Sequence, residues 1–521
     1  MKKLNIISKK AFIFILFLSS MVFISCTKNY EKINTDKSSI SDIGPAELPF
    51  LFSKAIASVP WNDQTAQNLY ADQYAQYFAC IASYFPTDRL VMDMGWLASA
   101  FDPIYTEIVP QLQSIFEATD SSSSEYALAN IWWVYSFHRV TDYWGPIPYF
   151  NAGKPGASVP YDSQEDIYND FFKRLTKSVA ILKTKTNEHP FESFDLLYGG
   201  DVNKWIKFAN TLRLRLALRV SKVNPELARM EAESAYDDGV MTVSPDDDAL
   251  AKRNSIDRNR ISIMSEWNEF RMSAAMETFL KGYSDPRISV YFIPTVNTNT
   301  FEGLRNGLTP TQLTQPVNSA NANSHVGPLW SNPKSGGIAD YLSTPQNVMC
   351  AAETYFLRAE GALLGWNMGG TPKDLYEQGI SNSMAQWGII DNNKIQTYIN
   401  NTSVPTAPQD YLNSPAISNV PVKFEAADKN IQAEQIATQK WLALFPDGVE
   451  AWADYRRSHL VKLYPIANSD NPDITDPTQK WIRRVPFLLS EKQTNGAEIE
   501  KAIQLLGGQD KITTPLWWDK N

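Results

Sequence analysis

Histidine and cysteine, on which most metal sites and many catalytic sites depend, are scarce in this sequence. The 521 residues include four histidines and three cysteines. No histidine stands in an H-E-x-x-H or comparable metal-binding spacing. The sequence also has no G-x-S-x-G nucleophile elbow, no P-loop and no G-x-G-x-x-G fingerprint. The sequence therefore gives no indication of a metal centre or a cofactor. A pair of carboxylates for glycoside hydrolysis stays open, because the chain has 57 acidic residues.

Positive charge is also in deficit, with 48 basic residues against 57 acidic ones and a formal charge of −9. Removal of residues 1–25, which hold four lysines and no acid, moves that charge to −13. A surface of this sign repels phosphate backbones, and no basic stripe compensates for it locally. The composition therefore argues against a nucleic-acid partner.

Only the N-terminus has a long apolar run. Lys2, Lys3, Lys9 and Lys10 precede an apolar stretch from Ala11 to Ile24, which is shorter than a membrane span. The end of this stretch and the two residues after it, Phe23–Cys26 (Phe-Ile-Ser-Cys), resemble a bacterial lipobox. We therefore expect residues 1–25 to be a lipoprotein signal peptide and Cys26 to be the lipidated first residue of the mature protein. An ordinary secretory signal in which Cys26 is incidental is the alternative.

Residues 26–45 are polar and rich in turn-forming residues, and we expect them to form a tether that carries the lipid anchor. The body, 46–521, is predicted to be one helical domain. Within it, residues from about 240 to 345 are rich in Asn, Thr, Ser, Gly and Pro, which predicts a loop-rich insertion.

Apolar residues at helical spacing recur along most of the body. They predict helices over Leu48–Val59 and Asn68–Ile81, among others. Ser163 and Asp201 are predicted helix N-caps, and Pro225 is predicted to open a helix. The repeated helix pairs favour a mainly α fold of the α-α superhelix type, although the 34-residue tetratricopeptide period is irregular.

The stretch from Ala129 to Phe150 combines a helical pattern with a rigid corner. Gly145, Pro146 and Pro148 end the helix, because prolines cannot continue it and restrict the residue before them. The aromatic residues around these prolines are predicted to pack the corner rather than to bind a ligand.

Aromatic residues make up 12% of the sequence and include 15 tryptophans. Flat aromatic faces bind sugar rings and apolar peptide side chains at little conformational cost. Because loops lie at the surface, aromatic residues in predicted loops are the better candidates for ligand contact. The candidates on this ground are Trp61, Tyr84, Phe85 and Trp330. The alternative is that each covers the local core.

Three further groups are predicted to be structural. His138 lies on an apolar helix face and is predicted to be a core histidine. Cys80 and Cys350 are predicted to be buried thiols rather than a disulfide. Asp246–Asp248 lack the spacing of a calcium loop and are predicted to form a solvated acidic loop.

Six segments, taken in order, resemble the SusD/RagB family of nutrient-binding outer-membrane lipoproteins, in its SusD-like branch. They are YEKINTD (Tyr30–Asp36), FHRVTDYWGPIPY (Phe137–Tyr149), YGGDVNKWIKFANTLRLRLALRV (Tyr198–Val220), AAETYFLRAEGALLGW (Ala351–Trp366), IATQKWLALFPDGVEAWADYRRS (Ile436–Ser458) and TTPLWWDK (Thr513–Lys520). The resemblance covers essentially the whole chain.

This resemblance implies a tetratricopeptide-like helical scaffold that carries a loop-rich binding lobe. It also implies a non-catalytic lipoprotein of the outer membrane, facing the outside of the cell. Such a protein caps a SusC-type TonB-dependent transporter and passes oligosaccharides, or in some members peptides, into its barrel. A lipid-anchored glycoside hydrolase and a scaffold without a small ligand are the alternatives.

The lipid anchor is the first testable prediction. The substitution Cys26→Ala removes the thiol that accepts the lipid, so we expect the protein to move from the membrane fraction to the periplasm. Fractionation followed by immunoblotting measures this change, with Cys80→Ala as the control that stays membrane-bound. Retention of the Cys26→Ala protein in the membrane fraction would refute lipidation.

Overall fold

Helices dominate the part of the chain that the computed structural model describes, which comprises residues 44–59, 63–154, 156, 158–476 and 481–520. The chain divides into two units, Met1–Ala46 and Glu47–Asn521. The α-helices are α1 Leu48–Ala57, α2 Val109–Ala118, α3 Ser124–Trp144, α4 Gln164–Leu182, α5 Val202–Arg219, α6 Pro225–Asp237, α7 Arg260–Trp267, α8 Ala274–Gly282, α9 Ile288–Tyr291, α10 Pro310–Leu313, α11 Ala351–Leu363, α12 Pro372–Gln386, α13 Asn392–Ile399, α14 Lys429–Leu444, α15 Gly448–Ser458, α16 Leu489–Thr494 and α17 Gly496–Leu506.

Within the described residues, short strands form three antiparallel pairs, β1 with β3, β2 with β6 and β4 with β5. They are β1 Phe78–Cys80, β2 Ala249–Ala251, β3 Phe270–Met272, β4 Phe292–Ile293, β5 His325–Val326 and β6 Gln346–Met349. Two π-helical segments, Gln64–Asp72 and Ile104–Ile108, complete the larger elements, together with several 3-10 turns. The predicted mainly α fold is confirmed.

The predicted helix starts are confirmed by their hydrogen bonds. The side chain of Ser163 accepts from the backbone N–H of Asp166, and that of Asp201 accepts from two N–H groups in the first turn of α5. Pro225 is the first residue of α6, where its missing N–H costs nothing. Ser163 and Asp201 accept hydrogen bonds from free N–H groups of the first helical turn, and Pro225 has no N–H group to satisfy. Each residue therefore fixes the start of its helix.

Successive long helices pack side by side. α3 packs against α4, α4 against α5 and α5 against α6, while α11 packs against α12 and α14. Their buried faces belong to one apolar core that holds the fully buried Trp132, Trp205 and Trp441. No helix in the described ranges is both long enough and apolar enough to cross a membrane.

The predicted helix over Asn68–Ile81 is wrong in its second half. The π-helical segment ends at Asp72, Gln76 adopts a positive φ of 54°, and Phe78–Cys80 is strand β1. The apolar residues that give the helical spacing are buried here from both sides, so periodicity does not separate a strand from a helix. Pairing with β3, about 190 residues further along the chain, decides the outcome.

The aromatic corner after α3 is packing, as predicted. Gly145 adopts a φ of +87°, and Trp144 donates from its indole nitrogen to the carbonyl of Pro486 at 2.9 Å. Trp144 and Tyr149 are each about 1% exposed. The C-terminal segment therefore closes over the corner, and the rings of Trp144 and Tyr149 are not open to a ligand.

Asp247 and Asp248 correct the prediction of a solvated acidic loop. Both are buried, and only Asp246 is exposed. Asp247 accepts from the backbone N–H groups of Thr242 and Val243 and pairs with Lys207 at 2.7 Å. Asp248 accepts from the N–H of Ala351 at 2.7 Å, at the start of α11. Their role is to join the insertion to the helices.

The other structural predictions are confirmed. Cys80 and Cys350 are buried free thiols. His138 is buried, with its Nδ1 atom 2.6 Å from the carbonyl oxygen of Tyr135. Burial and the neighbouring arginines hold the pKa of His138 well below its ordinary value, so the ring is neutral in the core.

Buried charges join α11, α14 and α15. Arg457 pairs with Glu360 at 2.7 Å and with Asp454 at 2.8 Å, and Lys440 pairs with Asp454 at 2.8 Å. Burial raises the pKa values of both carboxyls, but Arg457 and Lys440 outweigh it and hold those pKa values below the ordinary ones. The cluster therefore stabilises the fold at neutral pH.

The second prediction concerns this cluster. Arg457→Met removes a positive charge that pairs with the negative charges of Asp454 and Glu360. Loss of one partner of a buried ion pair lowers the free energy of unfolding by about 3–5 kcal/mol. The depressed carboxyl pKa values favour the folded state above about pH 4.5 and lose that effect as the pH falls. We therefore expect the deficit, measured by urea unfolding, to be largest near pH 7 and smaller near about pH 4.

Arg229→Met is the matched control. Arg229 forms an exposed pair with Glu233 at 3.0 Å, and such surface pairs contribute about 0–1 kcal/mol. A deficit for Arg457→Met that is no larger than that of the control, or that does not change with pH, would contradict the assignment.

Candidate ligand-binding surface

The structure separates the predicted aromatic candidates by exposure. Tyr84 is 67% exposed, whereas Phe85 is 6% and Trp330 is 2% exposed. Trp61 lies outside the described residues, as does Cys26. Among the described candidates, only Tyr84 presents a large ring surface to solvent.

Trp330 corrects the expectation that a position in a loop-rich stretch implies exposure. Its ring packs against Trp387 and Phe445, with centroid distances of 5.6 and 5.8 Å. Its carbonyl accepts from the Ser265 hydroxyl at 2.7 Å, which ties the 3-10 turn Pro328–Trp330 to α7. The insertion has its own packed interior, and in this conformation Trp330 offers no ring face to a ligand.

Tyr84 is held beside Glu269 by the pairing of β1 with β3. Cys80 lies opposite Phe270 in this pair, and the N–H of Ile81 donates to the carbonyl of Glu269 at 2.9 Å. This register brings the loop after β1 next to Glu269, and the Tyr84 hydroxyl donates to the Glu269 carboxylate. That hydrogen bond is the main cause that raises the pKa of Tyr84 to about 12.

Trp96 is a second exposed ring near Tyr84, and sequence reasoning missed it. Asp93 accepts from the backbone N–H groups of Gly95 and Trp96, both at 2.9 Å, and so fixes the start of a 3-10 turn. Phe85 contacts both rings, with centroid distances of 4.7 Å to Tyr84 and 5.7 Å to Trp96. Trp96 is 43% exposed, so the buried Phe85 supports two exposed rings.

Trp267 is a third exposed aromatic residue, and it too was missed. It is the last residue of α7, is 50% exposed and precedes Glu269 by two positions. Asn268 between them adopts a left-handed conformation with φ of 60°, and its side chain accepts from Arg271 at 2.5 Å. The left-handed residue ends the helix and redirects the chain into β3, which begins two residues later at Phe270.

We call Tyr84, Trp96, Trp267 and Glu269 together the aromatic surface. Its rings offer flat apolar faces, and its carboxylate accepts hydrogen bonds, which is the combination that sugar rings need. No group of three or more His, Cys, Asp or Glu side chains in the described ranges is placed to hold a metal ion. The combination of exposed rings with a hydrogen-bond acceptor supports the binding of sugar rings.

Larger clefts lie elsewhere but show fewer exposed rings. A cleft of about 740 Å³ along α4 has Phe150 at its rim, and Phe150 is 43% exposed. Another of about 390 Å³ lies between Tyr105 and Glu491. The Tyr105 hydroxyl donates a hydrogen bond to the Pro148 carbonyl at 2.9 Å. Neither combines several exposed aromatic side chains as the aromatic surface does.

Comparison with known proteins decides the family. The profile of the SusD-like family, described as Susd and RagB outer membrane lipoprotein, matches residues 29–519. The chain belongs to the SusD-like family. The resemblance found in the sequence is confirmed, and the match covers the aromatic surface as well as the helical scaffold. No curated protein matches the chain.

Solved structures of SusD homologues have the same fold as this SusD-like protein. A chitin-binding SusD homologue from Flavobacterium johnsoniae is 36% identical, with a TM-score of 0.82, over 91% of this chain and 98% of its own. A SusD homologue from Bacteroides uniformis is 32% identical, with a TM-score of 0.81, over 92% and 100%. One from Bacteroides vulgatus is 32% identical, with a TM-score of 0.81, over 91% and 98%. The predicted tetratricopeptide-like helical scaffold is thus confirmed.

The third prediction tests the contact that positions Tyr84. Glu269→Gln removes the negative charge beside the phenol, so we expect the pKa of Tyr84 to fall from about 12 towards its ordinary value of about 10. The difference in tyrosinate absorbance between each protein and its Tyr84→Phe counterpart measures this pKa.

Glu266→Gln is the control, because the Glu266 carboxylate accepts from the Tyr341 hydroxyl instead. We expect it to leave Tyr84 unchanged. An unaltered Tyr84 titration in the Glu269→Gln protein would show that the two side chains are not paired in solution.

Proposed function

We propose that this SusD-like protein captures oligosaccharides at the aromatic surface. The observation that carries the proposal is the pair of exposed rings, Tyr84 and Trp96, that both pack against the buried Phe85. Stacking on such rings tolerates different sugars, while Glu269 accepts hydrogen bonds from ligand hydroxyl groups. The rings are held by neighbouring strands and turns, so the surface is formed before a ligand arrives.

Oligosaccharides of N-acetylglucosamine are the first ligands to test. The Flavobacterium johnsoniae homologue, 36% identical over 91% of this chain, is described as chitin-binding. A second homologue described as a chitin-binding protein is 26% identical, with a TM-score of 0.74. Peptides are the alternative class, since apolar side chains also pack well on aromatic faces.

We further propose that the protein acts at the outside of the outer membrane, anchored through a lipid on Cys26. Its partner in this proposal is a SusC-type TonB-dependent transporter, which it caps and supplies with the captured ligand. The SusD-like match to an outer membrane lipoprotein family supports this placement. Co-purification of a barrel transporter with the full-length protein from membranes tests the partnership.

Two other functions are the alternatives to this proposal. The buried Phe85 and Trp330 favour a scaffold without a small ligand, but the exposure of Tyr84, Trp96 and Trp267 argues against it. A glycoside hydrolase would release new reducing ends from the bound oligosaccharide, and loss of that release in a carboxylate variant would support it. We propose a protein that binds without cleaving, and an unchanged oligosaccharide after long incubation is the expected outcome.

The fourth prediction concerns affinity. Trp96→Ala and Tyr84→Ala each remove one stacking face, and we expect each to weaken oligosaccharide binding by about 1–3 kcal/mol, by analogy with base–aromatic stacking. Isothermal titration calorimetry with chitin oligomers measures the affinities. Phe150→Ala is the matched control, because Phe150 is equally exposed but lies at the α4 cleft.

Trp330→Ala separates packing from binding. We expect it to lower stability by about 3–5 kcal/mol, as for other buried aromatic residues, and to leave the affinity of the folded protein unchanged. No oligosaccharide or peptide binding to the wild-type protein would overturn the proposed function. Equal losses of affinity in the Trp96→Ala and Phe150→Ala proteins would show that the aromatic surface is not the binding site.

A further inference from the structure

Glu269 occupies an unusual place on the aromatic surface, because a carboxylate is mounted directly beside a stacking ring. One of its oxygens accepts from the Tyr84 hydroxyl and the other from the Gln64 side-chain amide. Both partners are neutral, so they orient the carboxylate without cancelling its charge. A carboxylate has about four acceptor positions, and Glu269 remains partly exposed. The remaining positions are open to donors on a ligand.

Other acids flank the same surface. Glu266 is exposed on the last turn of α7, next to Trp267, and Asp93 is exposed next to the turn that carries Trp96. The three carboxylates are thus carried by two segments, Glu266 and Glu269 by the one that holds Trp267 and Asp93 by the one that holds Trp96. Their negative fields add over this surface.

Two arginines near Glu269 in the sequence make their hydrogen bonds elsewhere than to Glu269. Arg271 is 3% exposed, and its guanidinium donates to the carbonyls of Ala320 and Phe270 and to the Asn268 side chain. Arg258 is exposed, but its Nε atom donates to the Ser255 carbonyl at 2.9 Å, in the loop before α7. Neither guanidinium is joined to the Glu269 carboxylate.

We propose that Glu269 makes the aromatic surface select neutral and amine-bearing oligosaccharides and reject acidic ones, such as those built from uronic acids. A hydroxyl, amide or ammonium group of the ligand donates to the carboxylate, whereas a ligand carboxylate or sulfate placed there meets a like charge. Discrimination of this kind comes from the repulsive contact rather than from added affinity for the favoured ligand. This inference rests on the proposed function at the same surface.

The experiment uses three forms of one chitin oligomer of equal length. The first is the neutral N-acetylated form, the second is its deacetylated cationic form, and the third is oxidised to the carboxylate at C6. With the wild-type protein, calorimetry is expected to give an affinity for the carboxylated form about 10-fold below that for the neutral form. This ratio is expected to shrink as the salt concentration rises, because salt screens exposed charges.

Glu269→Gln is expected to reduce the discrimination to about 3-fold or less, and Glu269→Asp is expected to preserve it. Glu500→Gln is the control for net charge, since Glu500 is exposed on α17 and outside the aromatic surface. Should Glu269→Gln fold poorly, the salt dependence of the wild-type ratio and the Glu269→Asp protein still decide the matter.

The possible outcomes separate this inference from the proposed function. Equal wild-type affinities for the neutral and carboxylated forms, or a ratio that neither salt nor Glu269→Gln changes, would overturn the selection by Glu269 and leave oligosaccharide binding intact. Failure of all three forms to bind the wild-type protein would overturn this inference for chitin oligomers, and the same failure with all other oligosaccharides and peptides would overturn the proposed function itself.

Discussion

A chain of buried ion pairs joins helices that lie far apart in the sequence, and the rest of the structure depends on it. Arg215 of α5 reaches Glu353 of α11 at 2.6 Å, and Arg219 reaches Glu450 of α15 at 2.6 Å and Asp142 of α3 at 3.4 Å. Buried charges tolerate little displacement, because an unpaired charge in the core costs several kcal/mol. These pairs therefore fix the relative positions of helices whose apolar faces alone would allow sliding.

The frame fixed in this way also fixes the loops. The Tyr77 hydroxyl donates to the carbonyl of Trp441 in α14 at 2.5 Å, immediately before strand β1. The indole of Trp441 in turn donates to the carbonyl of Ala75 at 2.9 Å. β1 is thus attached both to the helical core and to β3. The segments that carry the exposed rings of Tyr84 and Trp96 follow β1 in the chain. A ligand surface on loops gains its rigidity from these attachments.

Sequence patterns predicted the helical frame well, and the reason is local chemistry. Ser163, Asp201 and Pro225 mark helix starts because each deals with free N–H groups within one turn. The helix predicted at β1 was wrong, because residues with helical spacing form a strand there through long-range pairing with β3. Long-range pairing also placed Asp247 and Asp248 in the interior, since their partners, Lys207 and the start of α11, lie about 40 and 100 residues away.

The sequence by itself determined the family, the mainly helical fold and the packed aromatic corner at Gly145, because motif order, periodicity and proline geometry are local properties. Only the tertiary structure decided which aromatic residues face solvent. Trp330 and Trp96 both follow a glycine or proline closely and look alike in sequence, yet one is 2% and the other 43% exposed. Exposure depends on what the rest of the chain lays over a ring, and that is a property of the fold.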